Sequence, residues 1–192
     1  FFLVMFVRRI AAVRPAGLTR MFASSLKDYP IDGFFNAKTY AIVGASNKKG
    51  SLGYIIAENF VKKYQGDVSF VNPKGGEVFG KHIYKSISEV DHEIQGAVVV
   101  VAAKFAVKSV EDLMKKGAKW ITVVTGGFAE SKTEEGKAAQ KAIVDLAKQY
   151  NCRIIGPNCM GVYDSKSVDT MFLPAIGLAK PEFGPVGIFS QS

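Results

Sequence analysis

The sequence predicts an α/β fold built as a doubly wound parallel sheet, and two observations carry that expectation. Short runs that are apolar throughout alternate with longer stretches whose apolar residues recur at helical spacing. Strands without polar alternation are buried on both faces, and helices between them make the crossovers of a parallel sheet. Glycine-containing turns close most of the apolar runs, and in such folds ligands bind beyond the carboxyl ends of the strands.

The strand candidates are "TYAIVG", "DVSFV", "GAVVVVA", "KWITVVT", "CRIIG" and, near the end, "PVGIFS". Helices are expected at about 51–64, 105–117 and 133–150. The first, "SLGYIIAENFVKKY", has Ser51 as a candidate N-cap, the second ends at a glycine stop, and the third is opened by Thr133. His82 and His92 fall in a connecting stretch and are expected at the surface.

The 192 residues suffice for one domain with extensions, and an apolar fraction of 48% excludes general disorder. No apolar run reaches the roughly 18 residues of a membrane-spanning helix. Cys152 and Cys159 form no CxxC and have no clustered histidines, which argues against zinc or a disulfide scaffold. The net charge of +8 is uneven: residues 1–27 hold Arg8, Arg9, Arg14, Arg20 and Lys27 with no acid, giving +5, so the rest contributes +3. An Arg-rich, Ser-containing, acid-free start has the composition of an organellar transit peptide. A basic tail or translated upstream sequence is the alternative, and "FFLV" before Met5 fits the latter. The expected organisation is therefore 1–27 outside the fold, a body at 28–175, and a linker with a further strand at 176–192. The body has no arginine patch, so the basic balance does not indicate nucleic acid. Mitochondrial or related organellar residence is the expectation, with cytoplasmic residence the alternative.

"YAIVGASNKKGSLGY" (40–54) runs a strand into a turn with bare backbone, two hydroxyls and two lysines. It matches neither G-x-G-x-x-G nor the P-loop pattern. A helix N-terminus with unpaired N–H groups nevertheless favours an anion. After the second strand, "VNPKGG" puts Asn72, Pro73 and Lys74 where a dinucleotide-binding domain would carry an acid for the ribose hydroxyls. Asn and Lys suit a phosphorylated ribose; Asn-Pro also suits a plain β-turn. "VVTGGFAE" (123–130) offers a bare turn that lets a ligand approach the backbone, or is simply a turn. "IIGPNCMG" (154–161) is a rigid turn in which Cys159 lacks the base partner a nucleophilic thiol needs. No catalytic or metal-ligating residue is expected in the chain.

Taken together, "AIVGAS", "VNPK", "VVVVAAKF", "VVTGGFAE", "RIIGPNCMGV" and "GPVGIFSQS" resemble, in this order, the CoA-binding domain of the NDP-forming acyl-CoA synthetases. That superfamily includes the ADP-forming acetate–CoA ligases and the α subunit of succinyl-CoA synthetase. The resemblance covers about residues 35–192 and leans to the acetate-type branch. It departs from the succinyl type at Gly44-Ala45-Ser46-Asn47, at Thr125-Gly126-Gly127-Phe128 and at Met160.

The resemblance implies a Rossmann-like domain with coenzyme A as its ligand. Gly44 and the run Ser46, Asn47, Lys48 and Lys49 would hold the phosphates, with Asn72, Pro73 and Lys74 at the nucleotide phosphate. Ala102, Lys104 and Phe105 would flank the adenine or the pantetheine arm. Val124, Thr125 and Gly126 would offer backbone to the arm, and Asn158 and Cys159 would lie where the thiol emerges. Independently of the family, lysines stand at the first two loops while the fourth and fifth are neutral. The resemblance further implies an acid–CoA ligase that uses ATP or GTP with Mg on other domains, including an ATP-grasp partner. Its phosphohistidine would lie beyond Ser192, so this chain alone would bind CoA without turnover. The alternative is a standalone CoA-binding or regulatory module.

Overall fold

The computed structural model describes residues 3–5, 30–172, 180–184 and 187–191. The basic stretch at 6–29 and residues 173–179, the end of the expected body and the start of the expected linker, lie outside the described residues. The strand β1 (Leu3–Met5) is followed by a short helix α1 (Gly33–Asn36), then β2 (Thr39–Val43), α2 (Leu52–Lys63) and β3 (Asp67–Val71). Next come β4 (Glu77–Val78), β5 (Lys81–Tyr84), β6 (Gly96–Val99), α3 (Ala103–Lys115) and β7 (Trp120–Val123). The chain continues through α4 (Glu134–Gln149), β8 (Arg153–Ile155), β9 (Gly161–Val162) and β10 (Phe189–Gln191).

Seven strands form the main sheet in the order β4-β5-β3-β2-β6-β7-β8. All neighbours are parallel except β4, which runs antiparallel to β5. Strand β2 is the pivot. Val43 is in register with Val71 on one side and with Val99 on the other, so the order reverses there. This is the doubly wound sheet the sequence predicts.

The local signals explain the helices. Ser51 caps α2 by accepting from the Tyr54 N–H at 3.3 Å, and Thr133 caps α4 by accepting from Gly136 at 3.1 Å. Gly117, at φ +107°, ends α3. The Ala118 and Gly117 N–H groups return to the Leu113 and Met114 carbonyls, the pattern of a Schellman stop. The sheet buries both faces. Tyr40 and Ile42 point to α1, α2 and the segment after β8, while Ala41 and Val43 point to α3 and α4. Gly53 sits where any Cβ would meet the Gly44 carbonyl oxygen at 2.0 Å, so α2 starts in backbone contact with the end of β2.

Three pieces of the fold escape the hydrophobic pattern. The β4–β5 hairpin extends the sheet and carries His82 on a strand, in a stretch expected to be a connection. In α1, Phe34 and Phe35 are buried, and the Phe34 carbonyl accepts the Tyr40 hydroxyl at 2.6 Å. The third piece is a small second sheet, in which β1 lies parallel to β9 and antiparallel to β10. The sequence reading left 1–27 outside the fold and the closing strand without neighbours. Leu3–Met5 and Phe189–Gln191 instead satisfy each other's unpaired backbone groups.

The segment after β8 covers the α2 face and is fastened by charge. Asp169 is fully buried, and its carboxylate meets Lys180 at 2.6 Å and Lys63 at 3.3 Å. Lys180 also donates to the Asn59 side chain at 3.1 Å, and Asn59 donates to the Met171 carbonyl at 2.7 Å. No buried side-chain polar atom among the described residues lacks a partner. Asp169→Ala leaves two half-buried ammonium groups without their anion and should cost about 2–3 kcal/mol. A urea unfolding curve checks this; an unchanged midpoint would mean that the clasp adds nothing.

Candidate ligand site at the carboxyl edge of the sheet

Because β2, β3, β6, β7 and β8 are parallel, the loops that leave their carboxyl ends share one edge of the sheet. Every site residue expected from the sequence falls in these loops or at the start of α3. Hydrogen bonds tie them together in sheet order. The Asn72 amide donates to the Ala45 carbonyl at 2.8 Å, joining the β3 loop to the β2 loop. Thr125 Oγ1 donates to the Val101 carbonyl at 2.6 Å, and the Asn158 N–H donates to the Thr125 carbonyl at 2.9 Å.

The β2 loop is held open by its own backbone and hydroxyls. Gly44 takes φ +101°, and a Cβ there would press on Val100 at 2.9 Å. Ser46 Oγ accepts from the Lys48 N–H at 3.1 Å, and Ser51 Oγ donates to the Lys48 carbonyl at 2.7 Å. The turn is thus shaped by its own hydroxyls, while Asn47, Lys48 and Lys49 face solvent. Across from it, Asn72 Oδ1 accepts from the Lys74 N–H at 3.0 Å. Each end of the Asn72 side chain thus makes one bracing bond, and Lys74 is exposed on that loop. Among the described residues, Lys48, Lys49 and Lys74 enter no ion pair, whereas Lys62, Lys108, Lys115, Lys137 and Lys141 on α2, α3 and α4 pair with a carboxylate on their own helix. Three lysines without carboxylate partners on adjacent loops leave a local excess of positive charge, the chemistry that a phosphate would meet.

The other end differs. Ala102 and Lys104 are exposed at the start of α3, and Phe105 is 56% exposed with the Lys104 ammonium 4.9 Å from its ring centre. The Val124 side chain is buried and its N–H is taken by the Val99 carbonyl. Gly126 is open, and a Cβ there would lie 3.0 Å from Asn158 Oδ1. Asn158 sits at φ +54° and follows a cis Gly156–Pro157 bond.

Cys159 is brought to this loop but turned away from it. It is 3% exposed, and its thiol donates to the Val123 carbonyl at 3.4 Å. Burial pushes the thiol up to about 12. Its thiol is therefore buried and un-ionised at neutral pH.

Sequence reasoning missed Glu130, which ends the "GGFAE" run. Its carboxylate folds back so that one oxygen accepts the N–H of Gly127 at 2.5 Å and of Phe128 at 3.1 Å. Burial alone would raise this carboxyl, but the Phe128 and Gly127 N–H groups outweigh it and hold it below the ordinary carboxylate range. The β7 loop, uncharged from Val124 to Ala129, therefore carries a carboxylate on its turn, with the exposed Lys132 two residues on.

His92 lies elsewhere, with Nε2 3.3 Å from the hydroxyl of Ser69 within β3 and Nδ1 2.9 Å from Asp91. Among the described residues no group of three or more His, Cys, Asp or Glu side chains could hold a metal, and no helix is long and apolar enough to cross a membrane. A groove of about 710 Å³ between α4 and β8 shares only Gly156 and Pro157 with the strand-end loops. Its walls are largely aliphatic with one lysine, which does not suit a ligand bearing several phosphates.

Three comparisons bear on this edge. Residues 38–165 match the family described as CoA binding domain. The chain is 38% identical over 168 residues to the α subunit of acetate–CoA ligase [ADP-forming] I of Pyrococcus furiosus, covering 84% of this chain and 35% of that protein. It is 35% identical to 4-hydroxybutyrate–CoA ligase [ADP-forming] of Nitrosopumilus maritimus, covering 87% of this chain and 23% of that protein. The solved apo form of dinucleotide-forming acetyl-coenzyme A synthetase 1 from Ca. Korarchaeum cryptofilum superposes with a TM-score of 0.68 at 30% identity, over 76% of this chain and 31% of that one. The chain thus spans about a third or less of the length of these proteins.

The buried thiols give a direct test. An unfolded cysteine ionises near 9, and folded Cys159 only near 12. The stability it contributes is therefore present below pH 9 and is lost as pH rises toward 12. At pH 8 the native chain should leave Cys159 unmodified by a thiol reagent that labels it rapidly in urea. Rapid labelling of the native chain would put Cys159 back in the site.

Proposed function

The chain belongs to the CoA-binding domain family, and from that premise we propose that its strand-end loops bind coenzyme A for an ADP-forming acid–CoA ligase. The observation that carries the reading is the set of three unpaired lysines, Lys48, Lys49 and Lys74, beside the N-terminus of α2. CoA has a diphosphate and a 3′-phosphate at one end and an uncharged arm ending in a thiol at the other. The phosphates meet the lysine loops and the start of α2. The arm runs past Ala102–Phe105 toward Thr125, Gly126 and Asn158, whose exposed backbone and amide suit a neutral, hydrogen-bonding chain. Asn72 acts by holding the β2 and β3 loops at a fixed distance.

The rest of the reaction belongs to parts that this chain does not contain. Activation of the carboxylate with ATP or GTP and Mg would fall to an ATP-grasp partner or domain, and the phosphohistidine to a further domain. The relatives named above act on acetate and on 4-hydroxybutyrate, yet resemble this chain about equally. That supports a role in presenting the thiol and leaves the choice of acid to other domains. The basic, acid-free start supports organellar targeting as a further proposal. A fusion of residues 5–40 to a fluorescent protein should then enter mitochondria, and a purely cytosolic fusion would remove the idea.

Calorimetric titration tests the ligand. CoA should bind more tightly than NAD. A charge-assisted contact to phosphate contributes about 1.5–3 kcal/mol, so dephospho-CoA should bind at least about tenfold more weakly than CoA. Lys74→Met should remove most of that difference. Equal affinity for CoA and dephospho-CoA in the unaltered chain would take Lys74 out of its role.

A further inference from the structure

The Gly127–Phe128 turn is itself an anion site. With Gly127 at φ +99°, the successive N–H groups of Gly127 and Phe128 converge on a single oxygen. Such pairs of convergent amides bind phosphate and carboxylate in many proteins. The turn lies beside Gly126 and Asn158, on the edge that the ligand occupies, and a free phosphate group could settle there. It does not stand empty: the chain supplies the anion from Glu130, three residues on. The Phe128 carbonyl accepts from Ser131, and the Ala129 N–H donates to Gln140 at 3.2 Å. The carboxylate is thus held on a braced turn.

We propose that Glu130 is a positioning residue that fills the amide pair at the β7 loop, so that this end of the site accepts only the uncharged end of the ligand. The effect is an electrostatic gradient along the edge. Lys48, Lys49 and Lys74 attract phosphate at one end, while the Glu130 carboxylate repels it at the other. The nearest cation at the start of α3, Lys104, lies over the Phe105 ring. Lys132, at φ +60° just after the turn, is exposed to water. A ligand with phosphates at one end and a thiol at the other then enters in one direction. This rests on reading the edge as the CoA site, and the test separates the two.

The experiment uses the full 192-residue chain, labelled with nitrogen-15, and inorganic phosphate as the probe. In the unaltered chain the Gly127 and Phe128 amide signals should not move with phosphate. In Glu130→Ala they should shift saturably, with an affinity at least about tenfold above that of the unaltered chain. Glu130→Gln keeps an acceptor oxygen on the same stem and should restore the insensitivity, a rescue that loss of loop structure would not give. If Glu130→Ala does not fold, Glu130→Asp, one methylene short, carries the comparison and should show a smaller shift in the same direction. Phosphate shifts at these amides in the unaltered chain, or none in a folded Glu130→Ala, would overturn the proposal. CoA added to the unaltered chain is judged separately, by the amides of Lys48, Lys49 and Lys74. If those stay still, the CoA reading fails whatever the phosphate arm shows.

Discussion

The contact between Gly53 and the Gly44 carbonyl governs the rest of the molecule. With no side chain at residue 53, the first turn of α2 rests on the backbone that leaves β2. That places unpaired helix N–H groups and the positive end of the helix dipole directly over the carboxyl edge. Every further property of the edge follows from it. The β2 loop can bulge outward only because α2 is anchored behind it, and Lys48 and Lys49 project because the hydroxyls of Ser46 and Ser51 tie the loop to itself. Asn72 then fixes Lys74 relative to this platform through the Ala45 carbonyl. The close approach has a cost in sequence freedom, since glycine alone satisfies it.

Much of this was legible in the sequence, for physical reasons. Runs such as "GAVVVV" can be nothing but doubly covered strands, and Ser51, Thr133 and Gly117 announce helix ends by chemistry that acts locally. The loops of the candidate site inherit their positions from the strands before them, so naming the strands brought these loops to one edge. What escaped depends on contacts distant in sequence or on very short elements. The hairpin of β4 and β5 has too few residues for any periodicity. The inward turn of Cys159 depends on the Val123 carbonyl, 36 residues away. Glu130 was visible as part of "GGFAE", but its return to the amides of its own turn is a matter of backbone shape. Asn72 was read as a ligand for phosphate, and its bracing bonds to Ala45 and Lys74 depend on the fold and were not legible.

The distribution of charge separates two uses of lysine in one chain. On α2, α3 and α4, lysines sit four or three residues from carboxylates, and such exposed pairs contribute little to stability. At the carboxyl edge, lysines stand without partners and repel one another, an arrangement that folding alone does not favour. The clasp at Asp169 is a third arrangement, in which two lysines neutralise one buried carboxylate. What distinguishes Lys48, Lys49 and Lys74 is their place together on two adjacent strand-end loops, beside the start of α2.

The clasp has a consequence for the order in which the chain folds. The residues it joins lie 100 to 121 positions apart: Asn59 with Met171 and Lys180, and Lys63 with Tyr163. Closing a loop of that length comes after the local strand–helix–strand units have formed, since the entropy of closure is met only when both sides are already in place. The clasp then acts as a lock on the finished domain, felt mainly in the rate at which it opens. Weakening it would shorten the lifetime of the folded state and leave the speed of folding nearly unchanged. During synthesis, the sheet and its carboxyl edge would assemble before the segment that shuts over α2 has left the ribosome.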